Sequence, residues 1–231
     1  MILEHKKSFG AITDTAVLYI KAGIDVLVVD SISDALPEAF IDSKSGDVNT
    51  FDAMKQLGAH AKSCTIMTNA FHYVNEKTAI ILISQTTTFI ASTYTKQIPH
   101  GGQKIGFSAS QVIKLSSSNT DAEAIKAEVV VGNNVEKLSI GRSVKALVEK
   151  NKLGPQSRTA EYDVYYDGPS LGVDRVGELV KLAVSLGVIE KGGAWFKWYA
   201  NQFQGESKVT AWLKDNPDMQ EKLLAEIEEA S

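Results

Sequence analysis

The sequence predicts an α/β protein, and three observations lead to this prediction. Residues 24–30 and 78–85 are apolar almost throughout, have the length of buried strands, and end in Asp30 and Gln85. Residues 51–75 between them carry apolar side chains at helical spacing. A strand, a helix and a second strand in this order form the unit of a parallel sheet, so we expect both strands to be parallel and covered on both faces.

A further helix is predicted before the first strand. Apolar residues between Phe9 and Ile20 recur at roughly helical spacing, and Gly23 is suited to end the helix. After the strand, residues 42–50 are polar and read as a loop.

The segment 86–104 differs from its surroundings. It contains six Ser or Thr residues, the breakers Pro99, Gly101 and Gly102, and no acidic residue. We expect a long irregular loop here, and such a loop inside a compact domain is usually functional or mobile.

The rest of the chain divides at Gly168-Pro169, a strong breaker that predicts one domain at 1–167 and a second at 168–231. Before the boundary, strands are expected at 110–116, 128–131, 143–150 and 159–166. After it we expect an amphipathic helix at 175–187, a short aromatic strand at 194–199, and a last helix that begins at Asn216-Pro217. Trp195, Trp198 and Trp212 are expected to form the core of this small domain.

Composition narrows the class of protein. With 231 residues, of which 44% are hydrophobic and 23% charged, the chain can bury a sizeable core. Its single cysteine, Cys64, excludes an intramolecular disulfide framework and fits the reducing cytoplasm. We expect no membrane span and no signal peptide. The net charge of −4 means that any nucleic-acid site must be local.

Asp30 marks a candidate nucleotide site. An apolar strand that ends in an acid is typical of the Walker B strand, whose carboxylate holds magnesium. Such a strand normally follows a loop of the form G-x-x-x-x-G-K-[ST], and no such loop occurs in the 231 residues. On this motif alone, Asp30 could equally be an acid that caps the turn after the strand.

Several short segments along the chain together carry a resemblance to one family. They are Leu27-Val-Val-Asp-Ser31, Leu82-Ile-Ser-Gln85, Gly101-Gly102, Phe107-Ser-Ala-Ser110, Lys150-Asn-Lys152, Gly192-Gly-Ala-Trp-Phe-Lys-Trp198, Gly205-Glu-Ser-Lys208 and Thr210-Ala-Trp-Leu-Lys-Asp-Asn-Pro217. In this order they resemble the bacterial and phage RecA recombinases. The resemblance is most specific near the end of the chain and covers nearly all of it. Divergence within the core favours a phage-type member.

The resemblance implies a RecA-like P-loop ATPase core without its N-terminal part, followed by a small α+β C-terminal domain. The family's phosphate loop and the glutamate that activates water have no counterpart here. The implied process is homologous recombination and repair of damaged DNA by a cytoplasmic protein. It would use ATP and Mg2+, assemble as a helical filament on single-stranded DNA, pair with double-stranded DNA and exchange strands.

The family's nucleotide residues map onto five positions. Asp30 would hold magnesium through water, Ser31 would contribute to binding of the nucleotide, and Gln85 would sense the γ-phosphate. Lys150 and Lys152 would reach the ATP of the adjacent subunit. Without the resemblance, Gln85 reads as a residue that satisfies backbone groups, and the two lysines as ordinary surface residues.

The family's DNA-binding segments map onto residues 42–56 and 86–104. In this interpretation Phe107 packs into the neighbouring subunit; without the resemblance, it would be interpreted as an ordinary core residue. Lys62 would contact a phosphate; without the resemblance, it would be interpreted as a solvated surface lysine. The candidate DNA contacts are Lys62, Thr86, Thr87, Phe89, Ile90, Lys96, Gly101, Gly102 and Lys104.

Three hypotheses follow for the function. The chain is an incomplete recombinase; or it is a non-catalytic DNA-binding or filament-modulating relative that lost the phosphate loop; or its partner is a separate N-terminal fragment that carries this loop. DNA-dependent ATP hydrolysis is the activity of the family. In the isolated chain we expect none.

Overall fold

The computed structural model describes residues 1–42, 45–48, 58–90, 95–117, 124–131, 134–167 and 171–230. For 87–90, 95–99, 129–131 and 134 it describes the backbone alone. The chain forms two compact units, Met1–Ser110 and Gln111–Ser231, and each is treated by itself. Among the described helices, none is long and apolar enough to cross a membrane.

The first unit is built on a parallel pair of strands, as predicted. Val26 pairs with Ala79, and the register continues to Val29 and Leu82. The elements of this unit are α1 (Phe9–Lys21), β1 (Val26–Val29), a 3-10 turn (Glu38–Phe40), α2 (Ala59–Val74), β2 (Ala79–Leu82), β3 (Thr86–Ile90), β4 (Thr95–Pro99) and α3 (Gln103–Ser108). The predicted helix at 51–75 is thus present as α2, and residues 51–57 lie outside the described part.

The expectation that this sheet is covered on both faces is wrong for the described residues. Both α1 and α2 pack on one face. On the other face, Val26, Val28 and Ile81 are 55%, 52% and 50% exposed. Side chains alternate along a strand, so one face of each strand needs a cover that the described elements do not supply. The buried core on the covered face consists of Phe9, Ala16, Ile20, Val29, Ile32, Ala35, Cys64, Met67 and Phe71.

The segment 86–104 is not the irregular loop expected from its composition. Strands β3 and β4 pair antiparallel from Thr86–Pro99 to Ile90–Thr95, and α3 follows at Gln103. The run Thr86-Thr-Thr88 is β-branched, and such side chains favour strands. The breakers at 99–102 end the hairpin and do not interrupt it.

The second unit contains a large antiparallel sheet and a helical cap. Strand β7 has 18 residues and pairs with β5, β6 and β8. All four predicted strands are present; that at 143–150 is only part of β7. The elements are β5 (Gln111–Ser116), β6 (Ala124–Val131), β7 (Asn134–Asn151), β8 (Thr159–Tyr165), β9 (Gly172–Val173), α4 (Arg175–Ser185), β10 (Glu190–Gly192), β11 (Trp195–Trp198), β12 (Asn201–Gln204), α5 (Glu206–Asp215) and α6 (Pro217–Ala230).

The predicted boundary at 167/168 falls inside this second unit. Val173 on β9 pairs with Val164 on β8, across the boundary. Lys181 on α4 also contacts Asp163 at 3.2 Å.

The last part of the chain nevertheless has its own core, formed where α4, α5 and α6 meet the β10–β12 sheet. Trp198 is buried in it and Trp212 packs against it, as predicted. Trp195 is 47% exposed, which corrects the expectation for this residue. Along β11 alternate side chains face the core, so Trp195 and Trp198 point to opposite sides.

Candidate functional site

Asp30 and Gln85 lie at the same end of the first unit's sheet. The amide of Ile83 donates to the carbonyl of Val29 at 3.0 Å, and the amide of Ile32 donates to the carbonyl of Ile83 at 3.0 Å. The strand ends are therefore held side by side beyond β1 and β2. The side chains of Asp30 and Gln85 are both exposed there, at the carboxyl edge where parallel sheets bind ligands.

The turn after β1 is fastened to the residues after β2. The amide of Gln85 donates to Ser33 Oγ at 2.7 Å. The preceding residue, Ile32, is fully buried. The peptide bond between Asp30 and Ser31 is cis. The Ser31 hydroxyl donates to Asp34 Oδ2 at 2.6 Å.

The Asp30 carboxylate fits a magnesium ion held through water. It is exposed and, among the residues that the structure describes, accepts no hydrogen bond from the turn that follows. This observation argues against its reading as a turn cap. The oxygen atoms of Asp30 and Ser31 are ligands of the kind that magnesium takes. The amides and the lysine that hold the β- and γ-phosphates in P-loop proteins are not encoded in this sequence.

Gln85 also begins the β3–β4 hairpin. The amide of His100 donates to the Gln85 carbonyl at 2.9 Å, and Ser84 Oγ donates to the His100 carbonyl at 3.0 Å. The hairpin therefore starts and ends at the candidate nucleotide edge. A movement of Gln85 would be passed to the hairpin through a single peptide unit.

Gly101 and Gly102 bring the end of the hairpin close to α2. Their φ angles are +104° and +75°. A Cβ atom on Gly101 would lie 3.0 Å from Cys64 Sγ, and one on Gly102 would lie 3.0 Å from Ala61 Cβ. Gly101 is buried, and its close approach to Cys64 packs the end of the hairpin against α2.

The other candidate DNA contacts are only partly described. Lys62, Thr86 and Lys104 are exposed. The side chains of Thr87, Phe89, Ile90 and Lys96 lie outside the described residues, as does most of the segment 42–56. Phe107 on α3 is 70% exposed and is therefore not an ordinary core residue.

Lys150 and Lys152 stand at the end of β7, in the second unit. Desolvation lowers the pKa of Lys150, and electrostatic repulsion from the charge of Lys152 lowers it further. Asn151, the residue between them, stabilises the turn that follows β7: its Oδ1 accepts from the Leu153 amide at 3.0 Å, and its Nδ2 donates to the Pro155 carbonyl at 3.2 Å. Sequence reasoning missed this role, although an Asn shortly before Gly154-Pro155 is a turn signal.

His60 contacts the turn after β1 and lies near the end of the hairpin, and it was not among the predicted site residues. Its Nε2 atom is 3.0 Å from the Ile32 carbonyl oxygen, and its ring centroid is 6.1 Å from that of His100. Nothing in the local sequence pattern marks this histidine.

Two of the lysines near the C-terminal tryptophans lie close to acidic side chains. Lys214 pairs with Asp174 at 3.1 Å, and Lys197 lies 3.9 Å from Glu190. This arrangement weakens the attraction of these two lysines for a phosphate backbone.

Comparisons with known proteins place the similarity in one family. Residues 177–231 match the RecA C-terminal domain family. The chain is 30% identical to the RecA protein of Thermus aquaticus over 206 residues, which cover 88% of this chain and 55% of the relative. It is 31% identical to the RecA protein of Rhodopseudomonas palustris over 230 residues, which cover 99% of this chain and 60% of the relative. The chain thus spans between half and two thirds of the length of these relatives.

Proposed function

Because this chain is RecA-like along most of its length and carries a RecA C-terminal domain, we propose that it acts in homologous recombination and repair of DNA. In this proposal it binds single-stranded DNA in a nucleotide-dependent filament and pairs it with double-stranded DNA. The observation that carries the proposal is the position of Gln85. Its side chain is exposed at the same edge of the sheet as Asp30, and its carbonyl oxygen accepts a hydrogen bond at the end of the hairpin that we assign to DNA binding.

The nucleotide would bind at the carboxyl edge of the first unit's sheet. Asp30 would hold magnesium through water, and magnesium neutralises charge on the phosphates. The Gln85 amide can donate and accept together, so it can respond to a γ-phosphate. Lys150 and Lys152 of a neighbouring subunit would stabilise the charge on the transferring phosphoryl group.

Hydrolysis would need a phosphate loop from polypeptide outside these 231 residues. The exposed apolar face formed by Val26, Val28 and Ile81 supports an additional covering segment, since parallel sheets are normally buried on both faces. We therefore expect no measurable ATPase activity from the chain alone.

DNA would be held along the hairpin and the start of α2. Lys62 and Lys104 are exposed cations in the first unit, and Thr86 supplies an exposed hydroxyl group. Few cations per subunit give weak binding, but a filament repeats the site many times along one strand. Exposed Phe107 is suited to pack into a neighbouring subunit of such a filament.

The test combines DNA binding with ATP hydrolysis. Fluorescence anisotropy of a labelled single-stranded oligonucleotide is measured across a salt series for the wild type, Lys62→Ala, Lys104→Ala and the control Lys21→Ala, an exposed lysine at the end of α1. Each of the first two variants should bind more weakly and reduce the salt slope by about 0.7, whereas the control keeps the wild-type slope. A chain that does not bind single-stranded DNA would overturn the proposal.

ATP hydrolysis separates the recombinase from the second candidate function. Activity that appears only when a polypeptide with the phosphate loop is added supports an incomplete ATPase. DNA binding without hydrolysis under either condition supports a non-catalytic, filament-modulating relative, which the missing G-x-x-x-x-G-K-[ST] motif favours. Robust hydrolysis by the chain alone would refute our expectation for the isolated protein.

A further inference from the structure

Three segments of the first unit meet at the side chain of His60. The residue lies in the first turn of α2, two positions before Lys62. Its Nε2 atom is 3.0 Å from the Ile32 carbonyl oxygen, in the turn that carries Asp30. Its ring stands edge-on to those of Phe9 on α1, with centroids 5.0 Å apart, and of His100 at the end of the hairpin, 6.1 Å apart.

The contacts of His60 define its tautomer. A carbonyl oxygen only accepts, so Nε2 carries the hydrogen in the contact with Ile32. In the neutral ring Nδ1 is then an acceptor, and Cys64 Sγ lies 3.7 Å from it. Burial raises the pKa of the Cys64 thiol to about 11, so the thiol keeps its hydrogen and donates it weakly. Both ring nitrogens are therefore used.

Ile32, whose carbonyl accepts from His60, also belongs to the hydrogen-bond network at the sheet edge. The Ile32 amide donates to Ile83, Ser33 Oγ accepts from the Gln85 amide, and the Gln85 carbonyl accepts from the His100 amide. His60 thus contacts this network at both ends, by a hydrogen bond at Ile32 and by its ring at His100. An apolar residue could fill the same space between Phe9 and His100, but it could not donate to Ile32.

We propose that His60 is a positioning residue that couples the nucleotide edge to the DNA-binding segments through its Nε2–H hydrogen bond to the Ile32 carbonyl. This inference rests on the proposed function for its consequence, and on the hydrogen bond for its mechanism. With the bond made, the turn at Asp30 and the base of the hairpin share one rigid anchor on α2. Without it, the Ile32 carbonyl loses this donor, and the turn and the hairpin base keep their direct hydrogen bonds to each other but lose their common anchor on α2.

The experiment uses the full chain with His60→Gln, His60→Leu and His60→Asn. Glutamine places an amide nitrogen close to the position of Nε2 and should restore the bond. Leucine fills the space without a donor, and asparagine keeps an amide that is too short to reach Ile32. His72, which is exposed on the same helix, supplies the matched controls His72→Gln and His72→Leu.

Two measurements are made on each variant. Hydrogen exchange follows the amides of Ile32, Gln85 and His100, and anisotropy follows binding of a single-stranded oligonucleotide. His60→Leu and His60→Asn should accelerate exchange at these amides and weaken DNA binding, each by about tenfold. His60→Gln should stay within about threefold of the wild type, and the His72 variants should not differ from it. The 15N shifts of the wild-type imidazole should report the Nε2–H tautomer.

The outcomes separate this inference from the proposed function. If the wild type binds no DNA, the proposed function fails, and exchange at the three amides still decides whether the hydrogen bond anchors the turn. Equal exchange in His60→Leu and the wild type would overturn the inference, as would an equal loss in His60→Gln and His60→Leu, because ring packing alone would then be responsible. A wild-type level of DNA binding in His60→Leu would show that the anchor does not reach the hairpin, and would also overturn it.

Discussion

Gly101→Ala tests whether the end of the hairpin depends on close approach to α2. Gly101 has a φ of +104°, where an L-residue is strained by about 1–3 kcal/mol. Its new Cβ would also lie 2.4 Å from Ile105 Cδ1, 3.0 Å from Cys64 Sγ and 3.4 Å from Ile32 Cδ1. The tip of Ile105 can rotate away. Cys64 and Ile32 are fully buried, so displacing them adds about 1 kcal/mol or more. We expect a loss of about 2–4 kcal/mol in the stability of the first unit.

Gly106→Ala is the matched control within the same short stretch. Gly106 lies inside α3, and a Cβ there would meet nothing within 4 Å. Alanine in a helix is favoured over glycine by about 0.5–1 kcal/mol, so this variant should be neutral or slightly more stable.

The assay reads the two units separately. All three tryptophans lie in the second unit, so the fluorescence transition in urea reports that unit alone. The amides of α2 report the first unit through hydrogen exchange, and a loss of 2 kcal/mol accelerates their exchange about 30-fold. Gly101→Ala should show this acceleration with an unchanged fluorescence midpoint. A variant whose α2 amides exchange within about twofold of the wild type would refute the packing argument.

Three further predictions concern single side chains. Cys64 is buried and its pKa is raised to about 11, so Ellman's reagent at pH 8 should leave the native chain unlabelled and label the unfolded chain completely. Asp174 caps α4 and pairs with Lys214 at 3.1 Å, so Asp174→Ala should lower the stability of the second unit by about 1–2 kcal/mol in urea. Partial burial opposes the charge of Lys181, but hydrogen bonds to Glu178 and Asp163 outweigh it and raise the pKa of Lys181 above its usual 10.5. The charged form therefore stabilises the fold below about pH 10, and Lys181→Met should cost about 0.3–1 kcal/mol at pH 8 and less as the pH rises through the raised pKa.

Each of these three has a clear contrary result. Rapid labelling of native Cys64 would mean that the first unit opens readily around α2. For Asp174 the control is Glu190→Ala, which breaks an exposed pair at 3.9 Å and should change stability by less than about 0.5 kcal/mol. Equal effects of both substitutions would show that the cap contributes nothing. A cost of Lys181→Met that stays constant up to pH 12 would mean that packing, and not charge, is responsible.

Much of this fold could be predicted because its signals are local. A short apolar run that ends in Asp30, and another that ends in Gln85, define two strands without knowledge of the rest of the chain. Asn216-Pro217 likewise marks the start of the last helix, where Pro217 is its first residue. A single helix between the two strands makes their parallel pairing the expected arrangement. Parallel pairing then places Asp30 and Gln85 at the same edge of the sheet.

The features that were missed depend on pairing between distant residues. The hairpin at 86–99 was expected to be irregular, because its serines, threonines and proline are also the residues of loops. Strand β7 extends far beyond the predicted 143–150, since β6 pairs with its first half and no local pattern records that partner. The pairing of β9 with β8 and the contact of Lys181 with Asp163, which join residues on both sides of Gly168-Pro169, also have no local signal.

The amino-acid sequence alone determined that two parallel strands lead to Asp30 and Gln85 at one edge of the sheet. This was possible because the strand signals and the direction of the chain can be read from single segments. The exact strand ends, Val29 and Leu82, came from the structure. Only the tertiary structure decided what surrounds that edge: the hairpin that closes on Gln85, the exposed second face of the sheet, and the position of His60 between three segments. These are decided by packing between residues far apart in the chain. A half-buried histidine carries no local mark of the carbonyl group to which it donates.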